Sequence, residues 1–144
     1  MGAETGGECP FCAAAGGQPA TQVLYETPDV LALFPLGPAT LGHTLVLPRR
    51  HVPDLWALSA TDARPLTEAV LRVAHAVREA LHPDGLNVIT SAGRAASQTV
   101  MHLHVHVVPR WEGDAIGDLW PRRGPAFAHE ALDRAAESIR ATLG

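Results

Sequence analysis

At 144 residues with 47% hydrophobic side chains, the chain is long enough to bury a core and too apolar to stay disordered. A net charge of -4, from 11 basic and 15 acidic residues, argues against a general nucleic-acid binder. No apolar run reaches membrane-spanning length, and no basic start with a long apolar segment marks a secretory leader, so a cytoplasmic enzyme or small-ligand binder is expected.

In chain order, Cys9 and Cys12 stand in C-x-x-C spacing within a Gly- and Ala-rich leader, expected to form a turn or short helical piece. Thr21 to Glu26 and Val30 to Phe34 read as strands joined by a turn at Thr27, Pro28 and Asp29. A further strand starts at His43, and Pro48 should end it. From Ser59, a plausible cap, the period changes: Leu66, Val70, Val73, Val77 and Leu81 recur at helical spacing. His75 and His82 fall on this helix or its end and read as surface or packing residues. "LNVITSA" is another strand, "GRAASQ" a loop, and residues 111–125 an irregular Gly/Pro-rich stretch before a terminal helix. With no repeat and no second domain in view, residues 1–144 read as one α+β domain: a mostly antiparallel sheet, one long helix and a C-terminal helix.

The stretch "TVMHLHVHVVPR" places His102, His104 and His106 at alternate positions among Leu103, Val105 and Val107. On a strand the three imidazoles share one face and the apolar residues the other; a helix would turn His104 away from its neighbours. At about 3.3 Å per residue, His102 and His106 start about 13 Å apart. Zinc takes nitrogen at about 2 Å, so one ion cannot comfortably hold all three, and the histidines must divide their work.

Two thiols in C-x-x-C spacing suit half of a zinc site, a redox pair or an inert buried pair. For zinc, Cys9 and Cys12 supply two ligands, and His51 with His102 are candidates for the others, completing a Cys₂His₂ set. That leaves His104 and His106 for chemistry. A neutral imidazole is a good nucleophile toward phosphorus when an acceptor fixes its other nitrogen. Ser97, Gln98 and Thr99, with backbone N–H groups of the same loop, offer donors for phosphoryl oxygens.

These residues together resemble the histidine triad (HIT) superfamily of nucleotide hydrolases and transferases. "HLHVHVV" matches its alternating signature, and "CPFC", "GHTLVLPRRHV", "GLNVITSAG" and "SQTVMHLHVHVVPR" extend the likeness over most of the chain, toward the small zinc-carrying bacterial-type branch. The resemblance implies that His104 attacks the α-phosphorus of a nucleotide to give a covalent nucleotidyl-histidine, its other nitrogen held by a backbone carbonyl. His106 would contact the phosphate and move protons, and His43 would complete the polar surroundings. Gln98 and Thr99 fall where the family touches the phosphate or leaving group. Structural zinc would rest on Cys9, Cys12, His51 and His102. The fold implied is a HIT-like α+β domain forming a homodimer, and Val30, Leu33 and Phe34 are candidates to contact the base. Pro35 stands where nucleoside-hydrolysing members carry a ribose-binding aspartate, and Ser91 where an asparagine is usual. Retention of His106 leans toward hydrolysis. Nucleotidyl transfer or phosphorolysis, and a catalytically weak nucleotide-binding regulator on the same scaffold, are the alternatives.

Overall fold

The computed structural model describes residues 9–144; the first eight residues of the leader lie outside it. Cys9 caps a short helix, α1 (Pro10–Ala15). Strands β1 (Val23–Glu26), β2 (Val30–Leu33) and β3 (Thr44–Pro48) follow. The long helix α2 (Ala60–Leu81) leads to β4 (Gly85–Ile89) and β5 (Val105–Arg110), and α3 (His129–Leu143) closes the chain. The five strands form one sheet in the order β1-β2-β3-β5-β4, with every neighbouring pair antiparallel. The fold is α+β, as the order of elements predicts.

Local chemistry accounts for the boundaries. The Thr27 hydroxyl accepts from the backbone N–H groups of Asp29 and Val30, which closes the β1–β2 turn. Ser59 caps α2 by accepting from Asp62 N–H, and His82 ends it in a left-handed conformation. Gly42 has φ +87°, a conformation that L side chains rarely adopt, and a Cβ there would also press on the Leu81 side chain, which favours glycine just before β3. His75 and His82 are both exposed, as expected.

The central strands β2 and β3 are buried on both faces. Val30, Ala32, Val46, Val105 and Val107 meet α2 through Leu66, Ala69, Val73 and Val77. Leu31, Leu33, Leu45 and Leu47 line the opposite face beneath Ala14 and Phe11 of α1. Each buried valine or leucine among them contributes about 1.5–3 kcal/mol, before conformational entropy is set against it. Four consecutive apolar residues in β2 are therefore buried in both directions, a pattern without alternation.

The histidine stretch differs from the sequence expectation in one respect. Of the three, only His106 lies within β5; the ladder stops at Val46 opposite Val105. Pro48 has no N–H to offer, and its carbonyl accepts instead from His102 Nε2 at 2.8 Å. Residues 102–104 keep the alternation through other bonds: Leu103 N–H donates to Val52 O at 2.6 Å, and the Thr90 hydroxyl donates to His104 O at 2.9 Å.

Candidate active site and metal centre

The histidines lie on the sheet face covered by α1. At one end, the ligand atoms of Cys9, Cys12, His51 and His102 all fall within 4.8 Å of one another. Cys12 Sγ is 3.2 Å from His51 Nδ1 and 3.5 Å from His102 Nδ1, and Cys9 Sγ is 3.4 Å from His102 Nδ1. The bond to Pro48 O places the His102 proton on Nε2, so its Nδ1 lone pair faces the two sulfurs. Burial lowers the His102 pKa, against the opposing effect of that bond, and favours the neutral ring that ligation needs. Two thiols, two imidazoles and a carbonyl that fixes one tautomer fit a tetrahedral zinc ion. The brevity of α1 matters here: Pro at its first position and the Cys9 cap bring both cysteines to one side.

One step along the stretch, His104 Nδ1 lies 2.8 Å from the carbonyl oxygen of His102. A carbonyl only accepts, so in the neutral ring the proton sits on Nδ1 and the lone pair on Nε2 at the far edge. Phe11, from between the two cysteines, meets the His104 ring edge-on with centroids 5.0 Å apart. Cys9 and Cys12 thus lie on either side of a side chain that braces the triad's middle member.

His106 belongs to a second relay. Ala39 N–H donates to His43 Nδ1 at 3.0 Å, which leaves the His43 proton on Nε2, 2.9 Å from His106 Nδ1. The His106 proton must then occupy Nε2. Burial, then His104, then His43 push the His106 pKa down to about 4, and burial lowers that of His43. Both rings are neutral near pH 7.

A cavity of about 320 Å³ opens beside these rings, lined by Phe11, Leu33, Phe34, Thr99, His104 and His106 among others. Pro35 lines it as well, and its ring offers no hydrogen-bonding atom. A second cavity of about 260 Å³ lies against His106 and takes in Ser91 and Ser97. The remaining two sequence candidates are placed elsewhere. Val30 faces α2 in the opposite core layer. Gln98 is 3% exposed; its amide oxygen accepts from Gly93 N–H and its amide nitrogen donates to Pro53 O and Val100 O. It holds the loop that carries Ser97 and Thr99 and turns no polar atom toward the cavities. Sequence reasoning missed Phe11, Ala39 and Thr90. Only Phe11 carried a signal, as the one large apolar side chain inside the C-x-x-C.

Residues 17–113 match the family model described as the HIT domain. The chain belongs to the HIT superfamily. Among solved structures, a member of the HIT family from Bacillus subtilis is 33% identical, superimposes with a TM-score of 0.86 and covers 95% of this chain and 98% of its own. A zinc-bound histidine triad family protein from Mycobacterium smegmatis is 35% identical with a TM-score of 0.69, covering 97% of this chain and 100% of its own. A plant HIT relative, Adenylylsulfatase HINT3 of Arabidopsis thaliana, is 29% identical over 132 residues, or 92% of this chain and 66% of its own length. Among the described residues no helix is long and apolar enough to cross a membrane.

Proposed function

We propose that this HIT protein is a hydrolase that cleaves a nucleotide phosphoanhydride, phosphoramidate or related bond through a covalent nucleotidyl-histidine on His104. The observation that carries this reading is the His104 Nδ1 bond to His102 O, which holds the ring with its Nε2 lone pair available beside the cavity. His104 Nε2 attacks phosphorus while Thr99 and backbone N–H groups of its loop steady the phosphoryl oxygens. Leu33 and Phe34 supply apolar surface for the base. His106 Nε2–H donates to a phosphoryl oxygen and stabilises the charge that develops there, while the leaving atom takes its proton from a water whose hydroxide then takes the proton of the water that attacks phosphorus. His43, donating to His106 Nδ1, keeps Nε2 as the working nitrogen.

Cys9, Cys12, His51 and His102 would hold structural zinc, and with all four positions filled by protein the ion would supply alignment rather than Lewis acidity. The zinc-bound Mycobacterium smegmatis relative supports the metal, and the Arabidopsis relative, an adenylylsulfatase, supports hydrolysis of an adenylyl compound. A reduced compartment, the cytoplasm, suits thiolate ligands. A homodimer is supported by the β4 edge, where Val88 is 51% exposed, and by α3, which buries none of its residues. Light scattering tests it; a monomer at micromolar concentration would overturn it.

The deciding experiment is a screen of nucleotides and nucleotide conjugates with mass detection of a quenched nucleotidyl-enzyme. An adduct mapping to His104 supports the reading, and turnover without any adduct overturns it. Adding phosphate or a sugar phosphate to the same screen separates hydrolysis from transfer, and binding without turnover would favour a regulator.

A further inference from the structure

Cys9 and Cys12 stand three residues apart, and their sulfurs fall within 4.8 Å of each other in the same cluster as His51 and His102. Cys12 N–H donates to Cys9 Sγ at 3.4 Å, which keeps the first sulfur folded back over the turn that carries the second. Cys9 is 3% exposed, whereas Cys12 is only half-buried, so a small molecule from solvent meets the Cys12 sulfur first. A disulfide holds its sulfurs at about 2.05 Å, a closure that residues 9–12 can make among themselves.

The contacts within the cluster are long-range. Cys9 faces His102, 93 residues away in the chain, and Cys12 faces His51, 39 residues away. Four protein ligands on one ion would pin the start of α1 to both histidines. A Cys9–Cys12 disulfide removes two of those ligands and substitutes a bond that ties residues 9–12 only to one another. The far end of α1 keeps its hold, because Arg49 Nη1 donates to Ala15 O at 2.8 Å and Ala14 packs on leucines of β2 and β3. The near end carries Phe11, edge-on to the His102 and His104 rings with centroids 5.8 and 5.0 Å away. Pro10, Phe11 and Ala14 form one wall of the cavity of about 320 Å³.

From this we infer that Cys9 and Cys12 are a modification site for hydroperoxides, and that their oxidation to a disulfide empties the cluster and loosens the α1 wall of the histidine cavity. The metal part rests on the zinc reading, and the effect on chemistry rests on His104 acting as the nucleophile. The Cys12 sulfur attacks the outer peroxide oxygen, the O–O bond breaks, and a sulfenic acid forms as the alkoxide leaves. The Cys9 sulfur then attacks the Cys12 sulfur, the S–S bond forms, and hydroxide leaves. Two electrons pass from the sulfurs to the peroxide, and two protons, from the thiols or from solvent, complete an alcohol and a water. A small dithiol reverses the change by thiol–disulfide exchange. A reducing cytoplasm keeps such a pair as thiols at rest, the setting in which disulfides serve as sensors rather than as structure.

The test treats the zinc-loaded protein with a small excess of hydrogen peroxide. Three readouts follow: zinc released to a chromophoric chelator, the mass of the peptide holding residues 9–12, and hydrogen exchange at residues 10–15. The peptide should become two hydrogens lighter, about one zinc per chain should be released, and exchange should quicken at least about tenfold. Dithiothreitol with added zinc should reverse all three. Cys12→His, which keeps four ligands without a partner thiol, should hold its zinc at the same dose, and Cys12→Asp serves if that variant takes up no metal. Sulfinic acids, disulfides between chains or retained zinc in the wild type overturn the site, as does equal zinc loss from a folded variant. A 9–12 disulfide with unchanged exchange overturns its effect on the cavity. A chain that takes up no zinc sinks the metal reading, while peptide mass and exchange still decide the switch. Quenched reactions with adenosine 5′-phosphoramidate separate the remaining level. A His104 adduct in the reduced protein that is lost on oxidation supports the switch, and equal adduct in both states overturns it. No adduct in either state, with the disulfide and faster exchange intact, sinks the nucleophile alone.

Discussion

The Nδ1 of His104 donates to the carbonyl oxygen of His102 at 2.8 Å, while the His102 ring is itself bound through Nε2 to Pro48 O at 2.8 Å. One residue thus faces the candidate metal cluster with its side chain and orients the proposed nucleophile with its backbone. Anything that displaces His102 shifts both sites.

The two roles should still separate by mutation. His104→Ala is expected to lower turnover at least about a thousandfold, the usual scale for loss of a covalent nucleophile. Metal content by mass spectrometry and the thermal midpoint should stay at wild-type values, because His104 supplies no ligand to the cluster. Full activity in this variant would refute the mechanism.

Cys9→Ala removes a proposed metal ligand and the cap of α1 together. Bound zinc should fall well below one per chain and the melting temperature should drop, since metal at 100 times its Kd adds about 2.7 kcal/mol to stability. Activity should fall as a consequence, through release of Phe11 from the His104 ring. A variant that keeps its zinc and its melting temperature would contradict the assignment.

Acid should destabilise the folded chain over a defined window. The folded pKa of His106 is depressed to about 4 by burial, then His104, then His43. Between about 6.5, the unfolded value, and about 4, the unfolded chain binds the extra proton, so stability falls as pH falls through that range. His106→Asn should flatten this part of the profile of melting temperature against pH. An equally steep profile in the variant would show that His106 stays accessible to protons.

Core substitutions should follow depth. Leu47 is fully buried between the sheet and α1, so Leu47→Ala should cost about 2–5 kcal/mol in urea unfolding. Leu71, on the outer side of α2 and 55% exposed, should change stability by less than about 0.5 kcal/mol when replaced by alanine. Comparable losses at both sites would mean that α2 is covered in solution by a second chain.

Much of this arrangement is legible in the residues alone. The alternation of His102, His104 and His106 puts their rings on one face, and about 13 Å of strand forbids a single ion for all three. The helical spacing after Ser59 marks α2, and the C-x-x-C marks half of a candidate metal site; these signals are local and survive any packing, whereas only the fold brings His51 and His102 to the two cysteines. Tertiary structure decided what has no local signal. Val30 and Leu31 are equally apolar in a strand buried on both sides, and only the positions of α1 and α2 assign Leu31 to the site face and Val30 to the far one. Gln98 reads as a phosphate ligand until Gly93, Pro53 and Val100 are folded around its amide. The division of space by His106 into two cavities likewise exists only once residues 39, 89, 108 and 116 converge from separate parts of the chain. Sequence specifies the chemistry a side chain offers; which partner uses it depends on contacts between segments far apart in the chain.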